Sequence, residues 1–405
     1  MIKNKLVVVL VSNDCEYDNR VQKTVKALCA DGYMVILNTV YKKENIRLSF
    51  LEVEQLSIKS KFWNPSLSID ELFKFIPKKV KKKVKPGLLK YYRYLSYTNL
   101  WKNEAYPEPL EVIIANDLIT LPVGVLLKRR HPNAKLVYDS HEYELHRMPP
   151  LTRLNKLFVR ALEGFCIRYC DNIITCSHYI ADEMQQIYGT YPISCIYNSP
   201  SRDKLPIGKN HLRDDLKLES DSIILLHVGK LTYGRGIEVI AHYLRDLPNV
   251  HLVNLGGWDN TFKASIDSTI DDLNIESQFH FLEPVPPNNV VDYIKGVDIG
   301  IISIENLTKS YEYSMPNKLF EMSFAKIPIM VNKDLKCAGL VKKYNFGIDF
   351  DIYSFNSFEA TIKSILKNKE SFYSQKSSSE FSRIYSLKTQ ENKLKNIVNN
   401  LTYAK

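Results

Sequence analysis

Ile223-Ile224-Leu225-Leu226-His227-Val228 runs straight into Gly229-Lys230-Leu231-Thr232-Tyr233-Gly234-Arg235-Gly236-Ile237-Glu238, and the reading of this stretch decides the fold. A short, nearly continuous apolar run suits a strand buried on both faces better than a helix. The glycines that follow end the run and let backbone approach a ligand, and the chain then takes up a helical apolar period. Strand, glycine turn and helix in that order form the repeating unit of a parallel sheet covered by helices. Lys230 and Arg235 add two cations to the turn beside Gly229, Gly234 and Gly236, a combination suited to stabilising a departing diphosphate. The same spacing also fits an ordinary strand-to-helix turn.

The habit recurs outward from this point. Leu6 to Val11, Met34 to Val40, Val112 to Ala115, Lys135 to Tyr138 and Asn172 to Cys176 precede it, and Val250 to Leu255, Phe279 to Leu282, Ile299 to Ser303 and Ile327 to Val331 follow, each strand-like run leading into a helical pattern. Two doubly wound α/β domains are predicted. Between the two series, Tyr197-Asn198-Ser199-Pro200-Ser201-Arg202-Asp203-Lys204-Leu205-Pro206 is polar and aperiodic, as a linker would be. The expected division is a Rossmann-like domain over 1–197, a linker over 198–210, a second Rossmann-like domain over 211–379, and a tail helix at about 380–405 that returns to the first domain. A chain of 405 residues, 45% hydrophobic and 25% charged, has the length for about two such cores. Ligands of open α/β sheets lie outside the carboxyl ends of the strands, so polar residues placed just after strands are the site candidates.

A second constellation is Tyr313-Ser314-Met315-Pro316-Asn317-Lys318-Leu319-Phe320-Glu321. Ser314 and Pro316 open a helix whose free amides and dipole favour an anion, and Glu321, about one turn after Asn317, can face the same ligand and accept ribose hydroxyls. Taken alone, Glu321 reads equally as a solvent-facing helical acid.

Together these segments resemble the nucleotide-binding half of the family 4 retaining glycosyltransferases of GT-B fold, in a Ser-x-Pro-Asn-Lys-x-x-Glu subset of bacterial polysaccharide type. The first half is similar too, through Tyr17-Asp18-Asn19-Arg20-Val21, Ala115-Asn116-Asp117-Leu118 with Leu121-Pro122, and Val137-Tyr138-Asp139-Ser140-His141-Glu142. The resemblance implies a GT-B fold in which Lys230 and Arg235 hold the donor diphosphate and Glu321 is the second glutamate of a paired-glutamate motif. It implies donor contacts from Gly229, Gly234, Gly236, Ser314, Pro316, Asn317 and Lys318, and a place near the donor sugar for His141. It sets Asp18, Arg20, Asn116, Asp117 and Glu142 on the acceptor side. Two departures stand out: Tyr313 occupies the place of the first glutamate, with Glu312 one position off register, and Asn13 to Asp18 replace the usual glycine-rich loop. By itself, a histidine after a strand is more often structural than catalytic; the company of Asp139-Ser140-His141-Glu142 favours function.

The expected reaction is therefore retaining transfer of a sugar from a nucleotide diphosphate, UDP-linked, to a membrane-associated glycan or lipid-linked acceptor. No cofactor or metal is expected: the resembled family needs no metal, and no Asp-x-Asp follows a strand. A nucleotide-sugar epimerase or a phosphorylase on the same fold is an alternative, as is a sugar-nucleotide-binding partner without catalysis, which Tyr313 favours.

The net charge of +10 is unevenly placed, since no acid occurs from Leu72 to Asn103 and Lys78, Lys79, Lys81, Lys82, Lys83 and Lys85 stand inside that window, followed by Tyr91, Tyr92, Tyr94 and Tyr97. Lysines beside interfacial aromatics suit an anionic membrane surface. A solvated loop is the plainer reading, and no nucleic-acid signature supports a third. The apolar start is too short for a signal peptide and no run is long enough to span a bilayer, so the expected location is cytoplasmic, peripheral on the inner face of the plasma membrane. Seven scattered cysteines fit a reducing compartment. Cys166, Cys170, Cys176 and His178 raise the question of zinc, and without a CxxC pair they read as small structural residues.

Overall fold

The structure is a computed structural model that describes residues 5–13, 15, 18–40, 54–58, 106–201 and 211–403. The lysines of 78–85, the tyrosines of 91–97, Asp14, Glu16, Tyr17 and linker residues 202–210 lie outside the described residues. The chain divides into two units, Met1–Ile196 with Glu391–Lys405, and Tyr197–Gln390.

In the first unit, β1 (Leu6–Leu10), β2 (Met34–Val40), β3 (Glu54–Ile58), β4 (Leu110–Asn116), β5 (Lys135–Ser140), β6 (Asn172–Thr175) and β7 (Ile193–Cys195) form one sheet among the described residues, in the order β3-β2-β1-β4-β5-β6-β7. Every pair is parallel, which requires crossovers. Helices Asn19–Ala30, Asp117–Arg130, Arg153–Ile167 and His178–Tyr188 supply four of them. Strand β1 is buried along its whole length, as a central strand covered on both faces must be. Val7, Val9, Val21, Val25, Val112 and Ile114 pack one face, and Leu394 and Val398 of the last helix, Leu387–Tyr403, close that core. Tyr33 Oη donates to Asn399 Oδ1 at 2.7 Å and Lys5 Nζ to the Thr402 carbonyl at 3.0 Å, fastening the tail.

The expected return of the chain at about 380 is corrected by this division: the first unit takes the tail only from Glu391. Helix Gln375–Tyr385 stays with the second unit because Phe381 and Tyr385 are buried against Phe320, Tyr344 and Phe346. Tyr197, expected in the first domain, also packs between Phe320 and Tyr385.

In the second unit, β8 (Ile223–Val228), β9 (Val250–Leu255), β10 (Phe279–Leu282), β11 (Ile299–Ile302), β12 (Ile329–Asn332) and β13 (Gly347–Phe350) form a parallel sheet in the order β10-β9-β8-β11-β12-β13. Both sheets thus reverse their winding at one point, between β1 and β4 and between β8 and β11. Such a switch point leaves a crevice at the carboxyl ends of the strands. The glycine turn leaves β8 there. Strand β13 also corrects one expectation, since Asp349-Phe350-Asp351 is an Asp-x-Asp at a strand end; its carboxylates are engaged by Lys342 at 2.9 Å and Lys333 at 2.7 Å.

Candidate active site

At the switch point of the second unit, Gly229 N–H donates to the Leu255 carbonyl at 2.9 Å and Leu231 N–H to the Gly257 carbonyl at 2.8 Å, which stitches the turn after β8 to the turn after β9. Gly256, at φ +146, passes so close that a Cβ there would lie 2.7 Å from the Gly229 carbonyl oxygen. Gly236, at φ +70, starts helix Ile237–Leu244, and a Cβ on it would stand 2.2 Å from the Ser303 carbonyl oxygen. The glycines therefore serve close backbone packing as well as positive φ. Ser303 Oγ donates to the Arg235 carbonyl at 2.8 Å. The Arg235 guanidinium lies 5.1 Å from the Tyr311 ring centroid, in cation–π range, and Lys230 is exposed.

Glu238 stands in the first turn of that helix. Burial raises its pKa against the amides of Glu238, Gly234 and Ile237, which lower it. These amides answer a carboxylate of the chain itself, so the side chains of Lys230 and Arg235 carry most of what the turn offers an anion.

Helix Asn317–Ala325 begins after Pro316, whose extended backbone at φ −69, ψ 150 ends the preceding turn. Met315, Leu319, Phe320 and Met322 are buried and anchor the helix, and its first turn carries Lys318 inward to 7% exposure. There Lys318 Nζ lies 2.5 Å from His227 Nε2, at the end of β8. Asn254 Nδ2 donates to the Gly256 carbonyl at 3.1 Å, which turns its Oδ1 to His227 Nδ1 at 2.7 Å. That orientation puts the imidazole proton on Nδ1 and leaves Nε2 to accept from Lys318. Burial and the neighbouring Lys318 hold His227 well below its usual pKa, and burial and Arg235 hold Lys318 well below its own, against the pull of Glu321. The end of β8, from which the glycine turn departs, and the Pro316 helix thus meet in one buried hydrogen-bonded chain.

The other residues singled out in this unit are distributed around that chain. Glu321 lies partly exposed on the same helix as Lys318. Ser314 Oγ donates to the Tyr311 carbonyl at 2.8 Å and so closes the turn before the helix. Asn317 Oδ1 accepts from Asn198 Nδ2 at 2.9 Å. Lys309 Nζ stands 5.7 Å over the Tyr313 ring, and Glu312 pairs with Lys336 at 3.5 Å.

The switch point of the first unit gathers a second cluster. Asn116 Nδ2 donates to the Leu10 carbonyl at 2.9 Å, which directs its Oδ1 to His141 Nε2 at 3.1 Å. Asp117 starts its helix at φ +62, an unusual conformation for a non-glycine residue, and accepts from the His141 amide at 3.1 Å. His141 Nδ1 is 3.6 Å from Asp117 Oδ2, and its Nε2 is 3.6 Å from Asp139 Oδ2. Beneath them, buried Arg20 donates from Nε to both Asp139 oxygens at 3.1 Å, from Nη2 to Oδ1 at 2.6 Å, and from Nη1 to the Ile196 carbonyl at 2.9 Å. Burial opposes charge on His141, yet Asp117 and Asp139 outweigh it and the imidazole is pushed up to about 9. Burial likewise works against the Asp139 carboxylate, and Arg20 and His141 hold it far below the usual range. The His141 side chain keeps 17% exposure, so one edge remains reachable.

Of the five residues expected on the acceptor side, Arg20, Asn116 and Asp117 join His141. Asp18 instead caps helix Asn19–Ala30, its Oδ1 accepting from Val21 N–H at 3.1 Å and its Oδ2 from Asn13 Nδ2 at 3.0 Å. Glu142 is exposed, and its carbonyl accepts from Ser140 Oγ at 2.8 Å. Sequence reading missed Asp139, His227 and Asn254 as members of these clusters. The available signal was a polar residue buried at the end of an apolar strand. Cys176 Sγ, whose pKa burial pushes up to about 12, donates to the His141 carbonyl at 3.1 Å, and Cys170 Sγ donates to the Cys166 carbonyl at 3.7 Å.

Residues 65–199 match the family described as Glycosyltransferase Family 4, and residues 208–380 the family described as Glycosyl transferases group 1. An uncharacterized glycosyltransferase of Methanocaldococcus jannaschii is 26% identical over 207 residues, 47% of this chain and 51% of that protein, so the match spans about half of that relative's length. Among solved structures, sucrose-phosphate synthase from Thermosynechococcus elongatus superposes with a TM-score of 0.77 at 15% identity, covering 99% of this chain and 100% of that one. HepE of Anabaena in complex with UDP gives 0.68 at 13% identity, covering 97% and 99%, and its complex with UDP-glucose gives 0.67 at 14%, also covering 97% and 99%. At such identities the structures speak to the fold. Two parallel sheets of the same winding and the superposed structures give the chain a GT-B fold, and two successive segments of it match the Glycosyltransferase Family 4 and Glycosyl transferases group 1 families.

Proposed function

We propose that this chain transfers a sugar from a nucleotide-diphosphate donor to a membrane-associated glycan or lipid-linked acceptor, with retention at the anomeric carbon. The observation that carries the proposal is the contact of Lys318 with His227, which joins the Pro316 helix to the end of β8, where the glycine turn begins, at the switch point of the second unit. Had the two segments stood on opposite faces of their sheet, no common diphosphate pocket could form. In this reading Lys230 and Arg235 stabilise the leaving diphosphate, Glu321 takes the ribose hydroxyls, and His141 serves the transferred sugar. Cationic side chains neutralise the developing charge, so no metal is assigned to the step. The complexes of HepE with UDP and UDP-glucose support a UDP-linked donor. The acceptor is assigned to the first unit, and the basic run Lys78 to Lys85 supports a peripheral place on the inner face of the plasma membrane.

Thermal unfolding in the presence of UDP, GDP, dTDP and CDP sugars tests the donor, because a ligand of the folded state alone raises the midpoint. Incubation with the stabilising donor should then release nucleoside diphosphate slowly by hydrolysis and faster with acceptor. Binding without any release would favour the second reading, a nucleotide-sugar-binding partner lacking catalysis, which Tyr313 in place of a glutamate supports. Conversion of donor into another sugar nucleotide without acceptor would mark an epimerase.

A further inference from the structure

Helix Arg153–Ile167 presents to solvent the face that a core helix usually covers with polar residues. Leu154 is 76% exposed, Leu157 65% and Phe165 50%. At about 100° per residue, Leu157, Ala161, Leu154 and Phe165 fall within about 80° of arc and form one stripe along the helix. Arg153, Arg160 and Lys156 follow along one border of that stripe, and exposed Arg168 stands at its end. The acid of the helix, Glu163, points the other way: it is buried and accepts from Tyr138 Oη at 2.8 Å and Tyr188 Oη at 2.6 Å. The outer face is therefore apolar and cationic without a carboxylate.

We propose that this helix is a membrane-contact element that lies in the interface of an anionic bilayer, its leucines and Phe165 among the acyl chains and its arginines on the headgroups. The charge pattern selects this occupant. A second copy would bring the same cations against themselves, whereas a lipid surface bearing negative charge complements them. The apolar stripe supplies the component that a merely solvated charged helix lacks, and its side chains are free to insert because they are already in solvent. The inference deepens the membrane-associated acceptor of the proposed function and adds a contact separate from Lys78 to Lys85.

Sedimentation with sonicated vesicles of phosphatidylcholine alone, and of phosphatidylcholine with phosphatidylglycerol, tests it on the full chain. Wild-type protein should pellet with the anionic vesicles and only weakly with neutral ones. Arg153→Gln/Arg160→Gln/Arg168→Gln should lower the anionic affinity about five-fold per charge. Leu154→Ser/Leu157→Ser/Phe165→Ser should lower it at least ten-fold. These side chains lie outside the core, so the thermal midpoint of both variants should match wild type, and donor-induced stabilisation should persist. Wild-type affinity in both helix variants, with loss only when Lys78 to Lys85 are neutralised, would overturn the inference. A wild-type dimer in solution that the Ser variant converts to monomer would overturn it in favour of a second copy. Vesicle binding without any nucleotide-sugar stabilisation would sink the proposed function and leave the membrane contact standing.

Discussion

Replacing Asp117 by Asn removes one of the two carboxylates that keep His141 protonated, and nothing else about the turn need change. Asn tolerates the positive φ of this position, and its amide oxygen can still accept from the His141 N–H. With 3.6 Å between His141 Nδ1 and Asp117 Oδ2, an effective dielectric constant of about 20 gives an attraction of roughly 4–5 kcal/mol. The Asp117 side chain is 34% exposed, so solvent screening reduces this to about 2 kcal/mol, or between 1 and 2 pH units. The imidazole should thus titrate near about 9 in the wild type and near about 7 to 8 in Asp117→Asn. Proton–carbon correlation spectra of histidine-labelled protein read this directly, with His141→Gln identifying the signal among the 9 histidines. Stability must follow with a definite sign. Because the folded value lies above the ordinary 6.5, the contribution is complete below pH 6.5 and is lost as pH rises through about 9. At about 1.4 kcal/mol per pH unit the loss is roughly 3 kcal/mol, and His141→Gln should flatten it. A wild-type His141 that titrates at 6.5, or one that Asp117→Asn leaves unmoved, would refute the ion-paired cluster.

Gly236→Ala should lower the thermal midpoint of the second unit by the equivalent of about 2–5 kcal/mol, since its Cβ would stand 2.2 Å from the Ser303 carbonyl at φ +70; an unchanged midpoint would contradict the packing. Lys230→Ala and Arg235→Ala should each cost about ten- to hundred-fold in turnover at unchanged fold, measured as nucleoside diphosphate released, and normal turnover in both would remove them from the leaving-group role. Lys318 is held well below its usual pKa by burial and Arg235, so a bound diphosphate should raise it and draw in a proton. Calorimetry in buffers of different ionisation enthalpy should therefore show proton uptake on donor binding and weaker binding as pH rises. Lys318→Met should abolish the uptake, and a wild-type complex that takes up none would exclude this response.

The central strands of both sheets were legible because parallel strands covered on both faces read as apolar runs, as β1 and β8 do. Of the four edge strands, only β10 was read. Ile193-Ser194-Cys195 in β7 is half-buried, Gly347-Ile348-Asp349-Phe350 in β13 mixes a glycine and an acid into a short run, and Glu54–Ile58 in β3 carries polar residues at three of its positions; all three escaped the reading. Site residues divide along a similar line. Glycines and cations in a turn announce themselves by type and order, so Gly236, Lys230 and Arg235 could be named. His227 and Asn254 could not, because they act through a partner distant in sequence, and only folding brings Lys318 to His227 across 91 positions. Asp18 shows the other limit: an Asp before a helix is first a cap, and its hydrogen bonds here are to Val21 N–H and Asn13 Nδ2.

The two clusters hold charge in opposite ways, and this difference argues for which one meets the diphosphate. In the first unit two cations, Arg20 and His141, face two carboxylates, Asp139 and Asp117, so the group is neutral in itself and the cost of burying its charges is offset internally. Such a cluster is rigid and has little to gain from an added anion. In the second unit, among the described residues, no ion pair joins Lys230 or Arg235 to a carboxylate. Asp259 feels Lys230 but is committed to the helix that follows it, accepting from Thr261 N–H at 3.0 Å and Phe262 N–H at 3.2 Å. Glu238 is turned to backbone amides, and burial together with Arg235 holds Lys318 well below its usual pKa, against the pull of Glu321. Cations without a paired carboxylate gain most from an added anion, whereas a group already neutral gains little. That contrast supports the proposal that the nucleotide diphosphate meets the second unit, with the imidazolium of His141 left to groups that carry hydroxyls.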